Sequence, residues 1–161
     1  MFPFTRAMIL FLDFDGVVHP RPAPGSGETD LFRCLHLLEG VLRQLPYVEV
    51  VISSAWRESQ TLNEIREYFA EDLRDRIIGM TPRPGEDIEL APSELVDFPR
   101  QTQCVAWLAR HRPAGTPWLA IDDTAEEFEP RCAQVLLIDG WVGLTPESAA
   151  NLLRRLKDGQ H

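Results

Sequence analysis

Apolar residues along this chain fall into short continuous runs, separated by longer stretches in which they recur every three or four positions. Met8 to Leu12, Val48 to Ile52, Trp118 to Ile121 and Val135 to Ile138 are runs of strand length, and Ile77 to Gly79 is a weaker fifth. Because the runs are continuous rather than alternating, they predict strands covered on both faces, as in a parallel sheet. Between the first two, Leu31, Leu35, Leu38, Leu42 and Leu45 share one face of a helix running toward Pro46. Thr61 and Glu64 predict a capping box ahead of Ile65 and Phe69, and Pro99 suits the first turn of a helix carrying Cys104, Val105, Trp107 and Leu108. Thr145 and Pro146 open a last helix through Leu152, Leu153 and Leu156, which Gly159 closes. Strand and helix in alternation, five times over, predict an open three-layer α/β fold.

Two segments break the rhythm: "HPRPAPGSGETD", His19 to Asp30, and "TPRPGEDIELAPSELVDFP", Thr81 to Pro99. Irregular stretches of this length in a compact domain are usually functional covers or mobile segments. The 161 residues fit one domain spanning 1–161, with no internal repeat or low-complexity tract and enough length to bury a core.

Charge narrows the partners. A formal net charge of -9 offers no general attraction to a phosphate backbone, so any nucleic-acid contact must be local. Of the 16 cationic residues only Lys157 is a lysine. Cys34, Cys104 and Cys132 form no CxxC pair and suggest neither a disulfide framework nor a zinc site, but small buried hydrophobes in a reducing compartment. The N-terminal apolar run is interrupted by Asp13 and Asp15 and is too short to span a bilayer. The expectation is a cytoplasmic protein with no membrane association and no oligomeric state set by its sequence.

Those two aspartates raise the question of chemistry. In "MILFLDFDGVV" they stand where a buried strand finishes, although a carboxylate out of water is costly unless paired, hydrogen-bonded or metal-bound. In open parallel sheets ligands sit beyond the carboxyl ends of the strands. There the chain places Asp13 and Asp15 on the first strand, Ser53 and Ser54 on the second and Asp122 and Asp123 on the fourth. Four carboxylates at one edge call for a cation, and oxygen ligands without Cys or His select a hard metal such as magnesium.

With "DFDG", "VVISS" and "IDD" in this order, the chain resembles the haloacid dehalogenase (HAD) superfamily of phosphohydrolases. "SAWR", with Ser54, Trp56 and Arg57, is similar to the HAD domains of Swiss Army Knife RNA repair proteins. The resemblance covers nearly the whole chain. It implies a Rossmann-like three-layer sandwich around a mostly parallel sheet, without a full cap domain, so that only the His19 to Asp30 segment, with or without the Thr81 to Pro99 segment, covers the site. It also implies that Asp13 is a nucleophile forming an aspartyl-phosphate and Asp15 the general acid and then base. Gly16 lets the backbone turn close to the ligand. Magnesium would be held at Asp13, Asp122 and Asp123 and at Asp15, the last through its backbone carbonyl. Ser54, in preference to Ser53, would bind a phosphate oxygen. Lys157 lies on the last helix, so the family's cation would be Arg100, with Arg57 a second phosphate or substrate contact. The substrates implied are a phosphorylated small molecule or a phosphate-ended nucleic acid.

Other readings of the same residues stand beside these. An EF-hand loop is excluded, because the third acidic ligand and the glycine of that loop are missing. A phosphoacceptor receiver domain needs an aspartate at the end of its third strand, and none stands near Gly79. A HAD-fold binding or regulatory module that holds metal without turnover remains the alternative function. Trp56, Trp107, Trp118 and Trp141 read as core or site-wall residues. His19 is either a functional residue or a solvent-facing loop histidine; Arg21 and Arg83 read as solvated loop residues and Asp139 as a turn former.

Overall fold

A computed structural model describes residues 6–22 and 30–159. Five strands, β1 (Met8–Leu12), β2 (Val48–Ile52), β3 (Ile77–Met80), β4 (Trp118–Asp122) and β5 (Val135–Leu137), form one wholly parallel sheet in the order β3-β2-β1-β4-β5. The helices are α1 (Leu35–Gln44), α2 (Leu62–Arg66), α3 (Pro99–His111) and α4 (Pro146–Asp158). The chain enters at the centre of the sheet, steps outward to β2 and β3, then crosses back to the other side of β1. Right-handed crossovers therefore put α3 on the face opposite α1.

The core divides accordingly. Met8, Leu10 and Leu12 of β1 pack with Leu38 and Leu42 of α1 and Leu152 and Leu156 of α4, while Ile9 and Phe11 face Cys104 and Trp107 of α3. Every residue of β1 is buried, which is why its sequence is apolar without alternation. Phe11 meets Trp107 and Trp118 edge-on, with ring centroids 5.9 and 5.7 Å away. Each such buried large side chain contributes about 1.5–3 kcal/mol.

Local signals set most of the boundaries. Thr61 and Glu64 form both bonds of their capping box, Thr145 caps α4 with Ser148, Pro99 opens α3 and Gly159 follows α4. The first helix is shorter than its leucine spacing predicts. Leu31 is exposed, Phe32 has a left-handed φ of 61°, and the helix begins only at Leu35. The cause is tertiary: Cys34 donates its N–H to Val18 O at 2.8 Å, so the segment is tied to the turn that follows β1 instead of to a preceding helical turn. Likewise α2 stops at Arg66, and Phe69 reaches the core through a turn whose Ala70 N–H donates to the Glu39 carboxylate at 2.6 Å.

The Thr81 to Pro99 segment begins at the carboxyl end of β3, where Pro82 O accepts from Arg57. It holds two short 3-10 helices, Ile88–Leu90 and Ser93–Leu95, and lies along α3. Asp87 pairs with Arg110 in the last turn of α3 at 2.8 Å, and Thr102 donates to Leu95 O at 2.6 Å, near the first turn. Of the His19 to Asp30 segment, residues 23–29 lie outside the described residues. Cys34 and Cys104 are buried and all three cysteines are free. Of the two readings given for Trp141, core and site wall, its exposure of more than half excludes the core. No described helix is long and apolar enough to cross a membrane.

Candidate active site

Strand register assembles the site. Leu12 pairs with Ile52 on one side and Ile121 on the other, so the next positions, Asp13, Ser53 and Asp122, are neighbours across three strands. Ser53 N donates to Leu12 O at 2.8 Å and Asp13 N to Ile121 O at 3.3 Å. This edge lies where the strand order reverses, the position at which open α/β sheets bind ligands.

Three carboxylates meet there. Oxygens of Asp13, Asp122 and Asp123 lie within 4.8 Å of one another, on side chains only 6, 2 and 3% exposed. Burial first, and then the charge of Asp122, pushes the Asp13 carboxyl well above its ordinary range, while Arg100 opposes the rise. Burial raises Asp122 in the same direction. Arg100, in the first turn of α3, donates from one Nη1 to Asp13 Oδ1 at 3.2 Å, to Asp122 Oδ2 at 3.4 Å and to the backbone oxygen of Ser53. Backbone donors supply the rest: Phe14 N to Asp13 Oδ1 at 2.9 Å, and Asp123 N and Thr124 N to Asp122 Oδ1 at 2.8 and 2.9 Å.

Asp123 is wedged between Gly16 and Gly140. A Cβ on either glycine falls well inside van der Waals contact with its carboxylate, and Gly16 has a φ of +82°. Gly16→Ala is therefore expected to cost about 1–3 kcal/mol in backbone strain alone and to displace Asp123 besides. Thermal melting and a divalent-cation titration check this; a variant with parental stability and affinity would show that the turn can relax. Arg21 donates from Nε to Asp123 Oδ2 at 2.5 Å, and its guanidinium lies 5.7 Å from the ring centre of Trp141. Arg21, read from the sequence as a solvated loop residue, is thus a partner of the acidic cluster.

Asp15 is not part of that cluster, which corrects the picture of four converging carboxylates. Its side chain is 53% exposed and turns aside, where Oδ1 accepts from His19 Nε2 at 2.7 Å and from Trp56 Nε1 at 3.2 Å. The His19 bond is the largest cause of a pKa below the ordinary aspartate value, against a partial burial that raises it. His19, open between two readings in the sequence, is fully buried.

The two serines differ. Ser54 Oγ accepts from Trp56 N at 3.3 Å and caps the short helix Ala55–Glu58. Ser53 Oγ is buried without a hydrogen-bond partner among the described residues. Arg57 is buried too, donating to Ser54 O at 2.6 Å, Gln103 Oε1 at 3.1 Å and Pro82 O at 3.2 Å. Its Nη atoms buttress the loop after β2, while its buried Nε has no partner among the described residues. Asp139 accepts from Trp141 N at 2.9 Å, as a turn former does.

A doubly wound parallel sheet with an Asp-x-Asp pair after its first strand, serines after the second and paired aspartates after the fourth defines a HAD-type α/β domain. The chain belongs to the family of HAD domains found in Swiss Army Knife RNA repair proteins, whose sequence profile matches residues 9–149. No curated protein sequence matches it.

Proposed function

We propose that the chain is a magnesium-dependent phosphohydrolase that cleaves phosphomonoesters through an aspartyl-phosphate on Asp13. The observation that carries this reading is a division of labour between two aspartates two residues apart. Asp13 is buried among carboxylates and held by Arg100, whereas Asp15 stands clear of the cluster with its carboxylate toward solvent.

Asp13 Oδ1 already accepts from Phe14 N and Arg100. Oδ2 is then the attacking oxygen: it bonds to phosphorus as the ester oxygen leaves, and Asp15 donates a proton to that oxygen. Asp15 next takes a proton from water, whose oxygen attacks phosphorus and releases Asp13 and inorganic phosphate. Arg100 offsets the charge of nucleophile and phosphate. One of the two serines after β2 is the hydroxyl proposed to donate to a phosphate oxygen: Ser54 Oγ accepts from Trp56 N and keeps its O–H to give, and Ser53 lies beside Asp13 in register.

The donor set fits magnesium: three carboxylates, all oxygen, at one edge. When bound, the metal would screen the phosphate from these carboxylates. Raised carboxyl values mean that the folded protein without metal holds protons the unfolded chain would release. The resulting stability is full below the ordinary aspartate range and is lost as pH rises through the raised values. Magnesium competes with those protons, so the gain in Tm from magnesium over a chelator is expected to grow from pH 5 to pH 8. A gain that is flat or absent across that range would show that the cluster is not a metal site. The lowered Asp15 acts oppositely, losing its contribution only as pH falls through its depressed value, below this window.

Phosphate release from 4-nitrophenyl phosphate, with magnesium and with a chelator, tests the reading directly. Magnesium-dependent turnover supports it. Metal binding without turnover on small esters or on phosphate-ended RNA would favour a binding module. Phosphate-ended RNA belongs in that screen because the family is described from RNA repair proteins.

A further inference from the structure

The environment of Asp15 is more elaborate than a solvent-facing acid requires. Its Oδ1 is the target of two ring N–H groups, from His19 and Trp56, while no described residue donates to Oδ2. Carboxylates in a solvated turn are usually satisfied by water, so two side-chain donors converging on one oxygen fix a rotamer.

The histidine is itself oriented. Phe32 N donates to His19 Nδ1 at 3.3 Å, which makes Nδ1 the acceptor and leaves the hydrogen on Nε2, facing Asp15. Phe32 holds its left-handed φ of 61° at this point, a conformation that a bulky residue keeps only where its surroundings impose it. Packing supports the ring further, with Phe32 edge-on at 5.5 Å between ring centres and Trp56 at 5.8 Å. Gly16 N donates to His19 O at 2.9 Å, closing the turn that carries both residues.

We propose that His19 is a positioning residue which, with Trp56, pins Oδ1 of Asp15 and so dedicates Oδ2 to the proton exchanged with the leaving group and with water. The inference rests on the phosphatase reading of the same site. Protonation on Oδ1 would place an O–H against two N–H donors; protonation on Oδ2 leaves both bonds intact. A pinned Oδ1 also stops the carboxyl from rotating about χ2 between turnovers, so the acid that protonates the ester oxygen is already placed as the base for water.

The test separates positioning of an acid from general loss of structure through the leaving group. An alkyl phosphate needs its departing oxygen protonated, whereas 4-nitrophenolate leaves readily without help. His19→Leu, and independently Trp56→Phe at a position less critical to the core, are compared with the parent on both esters. His19→Leu is expected to lower kcat/KM, which reports expulsion of the leaving group and not the water step common to both esters, by about a hundred-fold on the alkyl phosphate and at least about ten-fold less on the nitrophenyl ester. Trp56→Phe is expected to show the same selectivity more weakly. His19→Gln, whose amide keeps an N–H donor, is expected to recover much of the His19→Leu loss.

Equal losses on the two esters, or no recovery in His19→Gln despite a parental Tm, would overturn the inference. Asp15→Asn run alongside tells this from failure of the underlying reading. If Asp15→Asn is selective for the alkyl ester and His19→Leu is not, only the positioning role fails. If Asp15→Asn shows no selectivity, or the parent cleaves neither the two esters nor phosphate-ended RNA, the phosphatase reading fails and the inference with it.

Discussion

Asp13→Asn is expected to lower phosphate release by at least about ten-thousand-fold while leaving the metal-free protein at least as stable as the parent. The first effect follows from chemistry, since an amide oxygen cannot form the aspartyl-phosphate. The second follows from the site: Asp13 is buried, its charge opposed by Asp122 and Asp123, and its carboxyl raised for that reason. Asparagine keeps the oxygen that accepts from Phe14 N and removes one repelling charge. Single-turnover phosphate release and a thermal melt in chelator measure both. Residual activity of more than a small part of the parent's would exclude a covalent role for Asp13.

Arg100→Ala is expected to produce the opposite pairing, a loss of both activity and stability. Removing one fixed donor from a developing charge typically costs about a hundred- to a thousand-fold in kcat. Removing the one partner that two buried carboxylates share costs about 3 kcal/mol, because the remaining charges stay buried and unpaired. The destabilisation is expected to be smaller at pH 5 than at pH 8 in chelator, since protons replace the guanidinium once Asp13 and Asp122 take them up. Chemical denaturation at the two pH values checks this, and equal losses at both would show that Arg100 stabilises by packing alone. Unchanged activity in Arg100→Ala would remove it from the mechanism.

The parts of the site that were legible in the sequence share one property: each is a residue type at the end of a run whose secondary structure is set locally. Asp13, Ser53, Asp122 and Asp123 could be placed at one edge because parallel strands end there together. Arg100 could be placed because Pro99 marks the start of the helix that follows β3, and helices returning from that edge begin beside it. Burial on both faces required continuous apolar strands, so β1 and β2 were readable to the residue.

What could not be read depends on contacts between distant segments or on side-chain direction. Leucine spacing predicts a helix from Leu31, but the N–H of Cys34 is taken by Val18 O and the helix starts four residues later. Arg21 and Asp123 are 102 positions apart, and nothing local marks their pairing. Four carboxylates were counted at the edge; the turn at Gly16 sends one of them, Asp15, away toward His19 and Trp56. Only the spacing of His19, four residues after Asp15 in a tight turn, hinted at that bond.

By itself the sequence determined the order of strands and helices, the parallel sheet and the residue types gathered at its carboxyl edge, because hydrophobic periodicity and capping are local properties of the chain. The tertiary structure alone decided which carboxylates form the cluster, which backbone donors hold them and which arginine reaches Asp13 and Asp122. Those outcomes turn on rotamers and on hydrogen bonds across the sheet and its loops, which short-range spacing does not encode.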